Sequence, residues 1–219
     1  MSSADHGIQR LDGRRAAGAS TRRRLLKSAT QIVVDSGLDS LTVRAVSEAA
    51  GTNVASVSYH FGSRDALMAA VVETLSEPIV ERQSIALTEL EESAATPAVA
   101  DWVAAWGRPL LNTAFSSSPA SRRLGQLIGQ ALASPGSGLD AAVRQVVVDT
   151  DEQFIKGMRR TLPDVSEAEL RLRLAVMVAV VTGLTGGVFD AHLARAAPDD
   201  RLEERVLDLL AAIGTGLTE

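Results

Sequence analysis

Cysteine is absent from the 219 residues. Disulfides and thiolate metal sites are thereby excluded, and the redox compartment stays open. Aromatic residues make up only 3%, with a single tyrosine, while hydrophobic residues reach 46%, so any core must be built mainly from Ala, Val and Leu. That composition favours helices over sheets, and no strand-like alternation bounded by turn residues persists along the chain. Long apolar runs are missing too. The longest uncharged one, Leu174 to Phe189, is shorter than the roughly 20 residues a membrane span requires, and it contains Gly183, Gly186 and Gly187. It reads as a buried helix, and no membrane association is expected. The amino terminus lacks an apolar h-region, so no secretory signal is read and a cytoplasmic protein is expected.

Catalytic fingerprints are also lacking. The three histidines, His6, His60 and His192, show no metal-ligand spacing. There is no G-x-S-x-G elbow, no phosphate-binding P-loop and no dinucleotide fingerprint. No enzyme activity, cofactor or metal is therefore expected. A helical enzyme, or a small-molecule-binding module without DNA activity, stands as the alternative.

Charge is present but unevenly placed. The formal net charge is -5, yet Arg10, Arg14, Arg15, Arg22, Arg23, Arg24 and Lys27 face a single acid, Asp12, in the same stretch. A basic segment on an acidic body fits local contact with phosphates, and it fits a solvated tail equally well. Residues 1–20 carry Gly7, Gly13 and Gly18 without periodicity and are expected to be a disordered basic arm. Thr21 is read as the N-cap of a first helix whose stripe is Leu25, Leu26, Ala29, Ile32 and Val33, with Gly37 ending it.

The densest local pattern is Leu41 to Phe61, LTVRAVSEAAGTNVASVSYHF. Thr42 offers an N-cap hydroxyl, and Val43, Val46 and Ala50 recur at spacings of three and four. Gly51 can close the helix in the left-handed region. Asn53 offers a second N-cap to a helix that would turn Val54, Val57 and Phe61 inward and leave Ser56, Tyr59 and His60 outward. Short hydroxyls let a helix approach a groove floor, while a phenol and an imidazole reach phosphates or base edges. Two short helices joined by a Gly-containing turn have the form of a helix-turn-helix. An ordinary helical hairpin within an all-α core has the same spacing.

From about Thr21 to about Ala70 the chain resembles the DNA-binding domain of the TetR family of transcriptional regulators. The run Tyr59-His60-Phe61-Gly62-Ser63-Arg64-Asp65-Ala66-Leu67 is similar to the YHFGSKEAL form common in that family, with Arg64 where Lys is usual. Thr52-Asn53 stands where Val-Ser is frequent and Ala55 where Gly is frequent. The resemblance covers roughly the first third of the chain. It implies an all-α protein with a three-helix DNA-binding domain at 21–68 and a larger ligand-binding and dimerisation domain at 69–219. It also implies a homodimer on a palindromic double-stranded operator, acting as a repressor released by a small ligand. Thr42 and Arg64 would hold phosphates, Arg44 would donate to guanine, Asn53, Ser56 and Ser58 would meet base edges, and Tyr59 and His60 would clamp the backbone.

The remainder reads as further helices. Pro78 should kink or break the one that begins at Ser63. Thr96 and Pro97 look like a helix start, Pro119 like another, and Ser134 to Gly138 like a loop. Ser166 and Glu169 form a capping box before the long apolar helix. Pro198 would separate that helix from a last one striped by Leu202, Val206, Leu209, Leu210, Ile213 and Leu217. Two such helices can pack across a two-fold axis or serve an intramolecular core; the resemblance points to dimerisation. Trp102, Trp106, Phe115, Phe154, Met158 and Met177 are candidates to line a pocket for a small hydrophobic effector, and such a stripe is equally the signature of plain core. The carboxy-terminal portion faintly resembles regulators that respond to fatty acids or their coenzyme A thioesters, which makes an acyl effector the expected type.

Overall fold

The structure is a computed structural model describing residues 3–116, 118–133, 139–189, 192 and 201–216. Among the described residues all regular structure is helical: α1 Ser3–Ser36, a 3-10 turn Leu38–Ser40, α2 Val43–Ala49, α3 Val54–Phe61, α4 Arg64–Glu91, α5 Val99–Ala114, α6 Pro119–Ala133, α7 Leu139–Thr161, α8 Glu167–Thr185 and α9 Leu202–Thr215. The all-α expectation is met. Contacts divide the chain into Met1–Thr74 and Leu75–Glu219. No helix among the described residues is long and apolar enough to cross a membrane.

In the first unit, Leu25, Ala29 and Val33 recur at intervals of four along α1 and are fully buried, together with Leu41, Val46, Val57, Leu67 and Val71. Each short helix is closed locally. Thr42 Oγ1 accepts from the Ala45 amide at 3.1 Å, and Asn53 Oδ1 accepts from the Ser56 amide at 2.9 Å. Between them Gly51, at φ 62, occupies the left-handed region, where a side chain would be strained. Ser63 Oγ caps α4 through the Ala66 amide. Helices this short are held by such caps and by mutual packing.

Three expectations for this part of the chain are corrected. Residues 3–20 belong to α1, not to a disordered arm. Thr21 is interior to that helix, its hydroxyl donating to the Ala17 carbonyl at 3.0 Å. Val54, expected inward, is 54% exposed, because the first turn of α3 projects beyond the core that Val57 enters. The expectation for Pro78, a kink or a break, is narrowed: it sits inside α4 without ending it. Thr74, whose carbonyl loses an amide donor there, is exposed, so water can satisfy it.

The second unit is arranged around α5, which packs on α6, α7, α8 and α9. Val99, Trp102, Val103, Trp106 and Leu111 form its buried face. The ring of Trp102 lies where a Cβ on Gly157 would be 2.5 Å from Cζ3, so α7 needs glycine at that position. α5 begins at Val99, not at Thr96-Pro97, because the Asp101 carboxylate accepts from the Ala98 amide at 2.8 Å and sets the first turn there. α6 opens at Pro119 and α8 is capped by Ser166, as expected. The loop 134–138, Pro198 and Leu217 lie outside the described residues.

Candidate functional site

The first unit presents α3 to solvent. Tyr59 is 85% exposed, and Val54, Ala55 and Ser58 are exposed beside it. His60 meets Tyr59 edge-on, at 5.0 Å between ring centroids and 84°. His60 is half-buried rather than fully outward, since α1 passes it near Gly18. Arg22 of α1 stacks over Phe61 at 4.8 Å, a cation–π contact that fixes one residue of the basic segment against α3.

The remaining candidates differ in how free they are. Arg44 is exposed, and its Nε donates to Glu48 Oε1 at 2.8 Å, which raises its already high pKa. That pair is a solvated i,i+4 contact and exchanges easily for another acceptor. Asn53 and Ser56 are bonded to each other, Ser56 Oγ donating to Asn53 Oδ1 at 2.9 Å, so the Asn53 carbonyl serves the cap. Arg64 Nε donates to the Leu41 carbonyl at 2.9 Å, tying the start of α4 to the residue before the N-cap of α2. It is thus a brace as well as a charge. Thr42 and Ser58 are exposed. The outward position of Val54 is not legible in the sequence, because two turns of helix give periodicity too little length to fix a face.

The second unit contains a cavity of about 460 Å³, within the ordinary range for small-molecule sites. Its wall is Gln83 of α4, Trp106, Leu110 and Thr113 of α5, Ile128 of α6, residues between Arg144 and Glu152 of α7, and residues between Arg171 and Thr185 of α8. Of the six residues expected to line a pocket, Trp106 alone is among the lining residues. Trp102, Phe154, Met158 and Met177 are at most 1% exposed and form solid core, with Phe115 packed against it. Their size and apolarity fill space instead of enclosing it.

The polar part of the wall centres on Trp106. Gln83 Nε2 donates to the Trp106 carbonyl at 2.6 Å, and Trp106 Nε1 donates to Asp151 Oδ1 at 2.9 Å. Burial pushes the Asp151 carboxyl above its ordinary pKa; the Trp106 hydrogen bond opposes the shift and the Glu152 charge adds to it. Glu152 is held below its ordinary value by Arg171, whose Nη1 and Nη2 donate to it at 2.8 and 2.9 Å.

A carboxyl with a raised folded pKa binds its proton more tightly in the folded state. Its favourable contribution is therefore present at acid pH and is lost as pH rises through the folded pKa. Asp151→Asn removes that dependence. The melting temperature of wild type relative to Asp151→Asn should fall as pH is raised from about 4 to 7. A difference that does not change with pH would show that Asp151 is solvated like an ordinary surface carboxylate.

A profile described as bacterial regulatory proteins of the tetR family matches residues 25–71, and one described as the tetracyclin repressor-like C-terminal domain matches residues 104–213. No curated protein sequence gives a significant match. Solved structures share the fold. A transcriptional regulator from Rhodococcus sp. Rha1 is 22% identical over 88% of this chain and 94% of its own, with a TM-score of 0.60. The multidrug binding protein EbrR in complex with imidazole is 21% identical over 88% and 93%, at 0.58. The superantigen PfiT is 20% identical over 87% and 94%, at 0.55.

A helix-turn-helix unit followed by a helical domain with a cavity defines a ligand-binding transcriptional regulator of two domains. The chain belongs to the TetR family. Neither matching profile describes a catalytic family.

Proposed function

We propose that the protein is a repressor that binds a palindromic operator as a homodimer and is released when a small, largely hydrophobic molecule occupies the cavity. The observation that carries the DNA reading is the exposed face of α3, headed by Tyr59 at 85% exposure, on a helix fixed by its own N-cap after a tight turn. In this reading α3 enters the major groove. Ser58, Ser56 and Asn53 approach base edges, and Val54 offers an apolar contact to a thymine methyl. Tyr59, His60, Thr42 and Arg64 hold the backbone, and Arg44 leaves Glu48 for a guanine. Such a protein works in the cytoplasm, where the chromosome is.

A second copy of the chain is the proposed partner of α8 and α9. These helices pack on each other, yet Leu172 and Val176 of α8 and Leu209 of α9 are 59%, 43% and 66% exposed. Large apolar side chains grouped on adjoining helices mark an association surface. Two-fold symmetry in the protein calls for the same symmetry in the operator.

Release requires that the effector favour the form unsuited to the operator. Moving the population from 99:1 to 1:99 takes about 10⁴-fold tighter binding to that form. Fatty acyl molecules are one hydrophobic class of the right size, and the chemistry of the polar wall decides between classes.

The test of the DNA reading is binding of the full-length protein to a mixed-sequence duplex at low salt. Ser58→Glu sets a negative charge on the exposed side of α3 and should weaken binding by on the order of tenfold. Binding that is indifferent to Ser58→Glu would remove α3 from the interface. Arg44→Ala should leave thermal stability unchanged, because its partner is a solvated one, and relax preference by roughly tenfold at one base pair. An Arg44→Ala protein with the wild-type base preference would refute guanine reading.

A further inference from the structure

One acceptor in the cavity lacks a donor, and a carboxylate beside it is met by a neutral one. Gln83 is 1% exposed, and its Nε2 is committed to the Trp106 carbonyl. Reversing the amide would set two oxygens against each other, so Oε1 is the free atom, and it has no hydrogen-bond partner. A buried amide oxygen without a donor destabilises the empty protein. The second acceptor is Asp151. Its hydrogen bond comes from the neutral Trp106 indole. The neighbouring cations are engaged: Arg171 is bonded to Glu152 and Glu167, and Arg144, exposed on α7, already has an interaction of its own.

Both acceptors are positioned by one residue, since the Trp106 carbonyl holds Gln83 and its indole nitrogen holds Asp151. Leu110, Ile128, Leu174 and Val178 give the same wall an apolar face. We infer that the cavity takes an organic amine in its protonated form. Its hydrocarbon or aromatic body lies against the aliphatic wall and Trp106, and its N–H groups donate to Asp151 and to Gln83 Oε1. A carboxylate head would bring a further acceptor to an amide oxygen without a donor and a carboxylate met by a neutral indole. This class assignment rests on the reading of the cavity as the effector site.

The test uses four molecules with one body and different heads: 4-phenylbutylamine, 4-phenylbutan-1-ol, 4-phenylbutanoate and trimethyl(4-phenylbutyl)ammonium. Each is titrated into the full-length protein by calorimetry and by tryptophan fluorescence, which Trp106 reports from the wall. The amine should bind at least about tenfold more tightly than the carboxylate, the difference expected for a charge-assisted hydrogen bond. The trimethylammonium compound, which keeps the charge but has no N–H, should fall between them. Asp151→Asn should lower amine affinity about tenfold and leave the alcohol within about twofold; Gln83→Leu should weaken the amine and the alcohol together.

A carboxylate that binds as tightly as the amine, or Asp151→Asn without effect on the amine, would overturn the amine assignment while leaving the cavity as the effector site. If none of the four binds, both the assignment and the effector reading of the cavity fall. Should Asp151→Asn not fold, the order of amine and carboxylate on the wild-type protein decides the matter without a variant.

Discussion

Replacing Leu172 and Leu209 together by aspartate is expected to yield a folded monomer whose affinity for its operator is lower by roughly a thousandfold, the lower end of the gap between specific and non-specific binding. The two side chains are 59% and 66% exposed, so neither helps to close the core of its own chain. The buried side of α8 is made by Leu170, Leu174, Met177, Val181 and Leu184, which the double substitution leaves in place. Stability of the isolated chain should change little, whereas carboxylates facing each other across a two-fold axis oppose association. A monomer carries one reading head and loses half of the phosphate and base contacts. Sedimentation velocity reads the mass and fluorescence anisotropy the affinity. A variant that stays dimeric would place the dimer contact elsewhere.

Trp102→Ala should have the largest effect on folding. The side chain is fully buried, its ring fills the space left by Gly157, and its Nε1 donates to Thr161 Oγ1 at 2.9 Å. Thr161 in turn donates to the Pro97 carbonyl at 3.1 Å, so the indole anchors the turn before α5 as well as the core. Truncation removes the apolar contacts, leaves a cavity and takes the indole donor from Thr161 Oγ1, which together cost about 3–5 kcal/mol. That is a large part of the 5–15 kcal/mol typical of a whole domain. A fall of roughly 10 °C in melting temperature is expected for a chain of this size. A loss below about 1 kcal/mol in a urea melt would mean that the ring is not close-packed.

The parts of this protein that sequence made legible are those fixed by local chemistry. Thr42, Gly51 and Asn53 each act within a few residues of themselves, as N-cap, left-handed turn and second N-cap, and the structure has all three. The Ser166 cap and the start at Pro119 are of the same kind. What depends on distant packing is not legible locally. Thr96-Pro97 has the form of a helix start, but the Pro97 carbonyl is taken by Thr161 from α7, and the helix opens later, at Val99. The glycines of residues 3–20 and the missing stripe point to disorder when read locally, yet α1 runs through them.

The cavity shows the same division. Trp102, Phe154, Met158 and Met177 drew attention as large apolar groups, and burial made them core. The legible signal was the reverse: a polar residue in phase with an apolar stripe. Gln83 falls four residues from both Ile79 and Leu87, and Asp151 continues the spacing of Val143 and Val147. A group of that kind points where its neighbours are buried, and each of these two lines the cavity.

Selection of bound duplexes from a random pool, scored by sequencing, tests most directly whether this chain reads DNA as a symmetric pair. The wild-type protein should enrich a palindrome whose half-sites lie about one helical turn, or a multiple of it, apart from centre to centre. Tyr59→Ala should lose the enrichment, and Arg44→Ala should lose preference at one pair in each half-site. Absence of any enriched sequence at low salt, or a motif that survives Tyr59→Ala unchanged, would contradict the assignment of α3 as the reading helix.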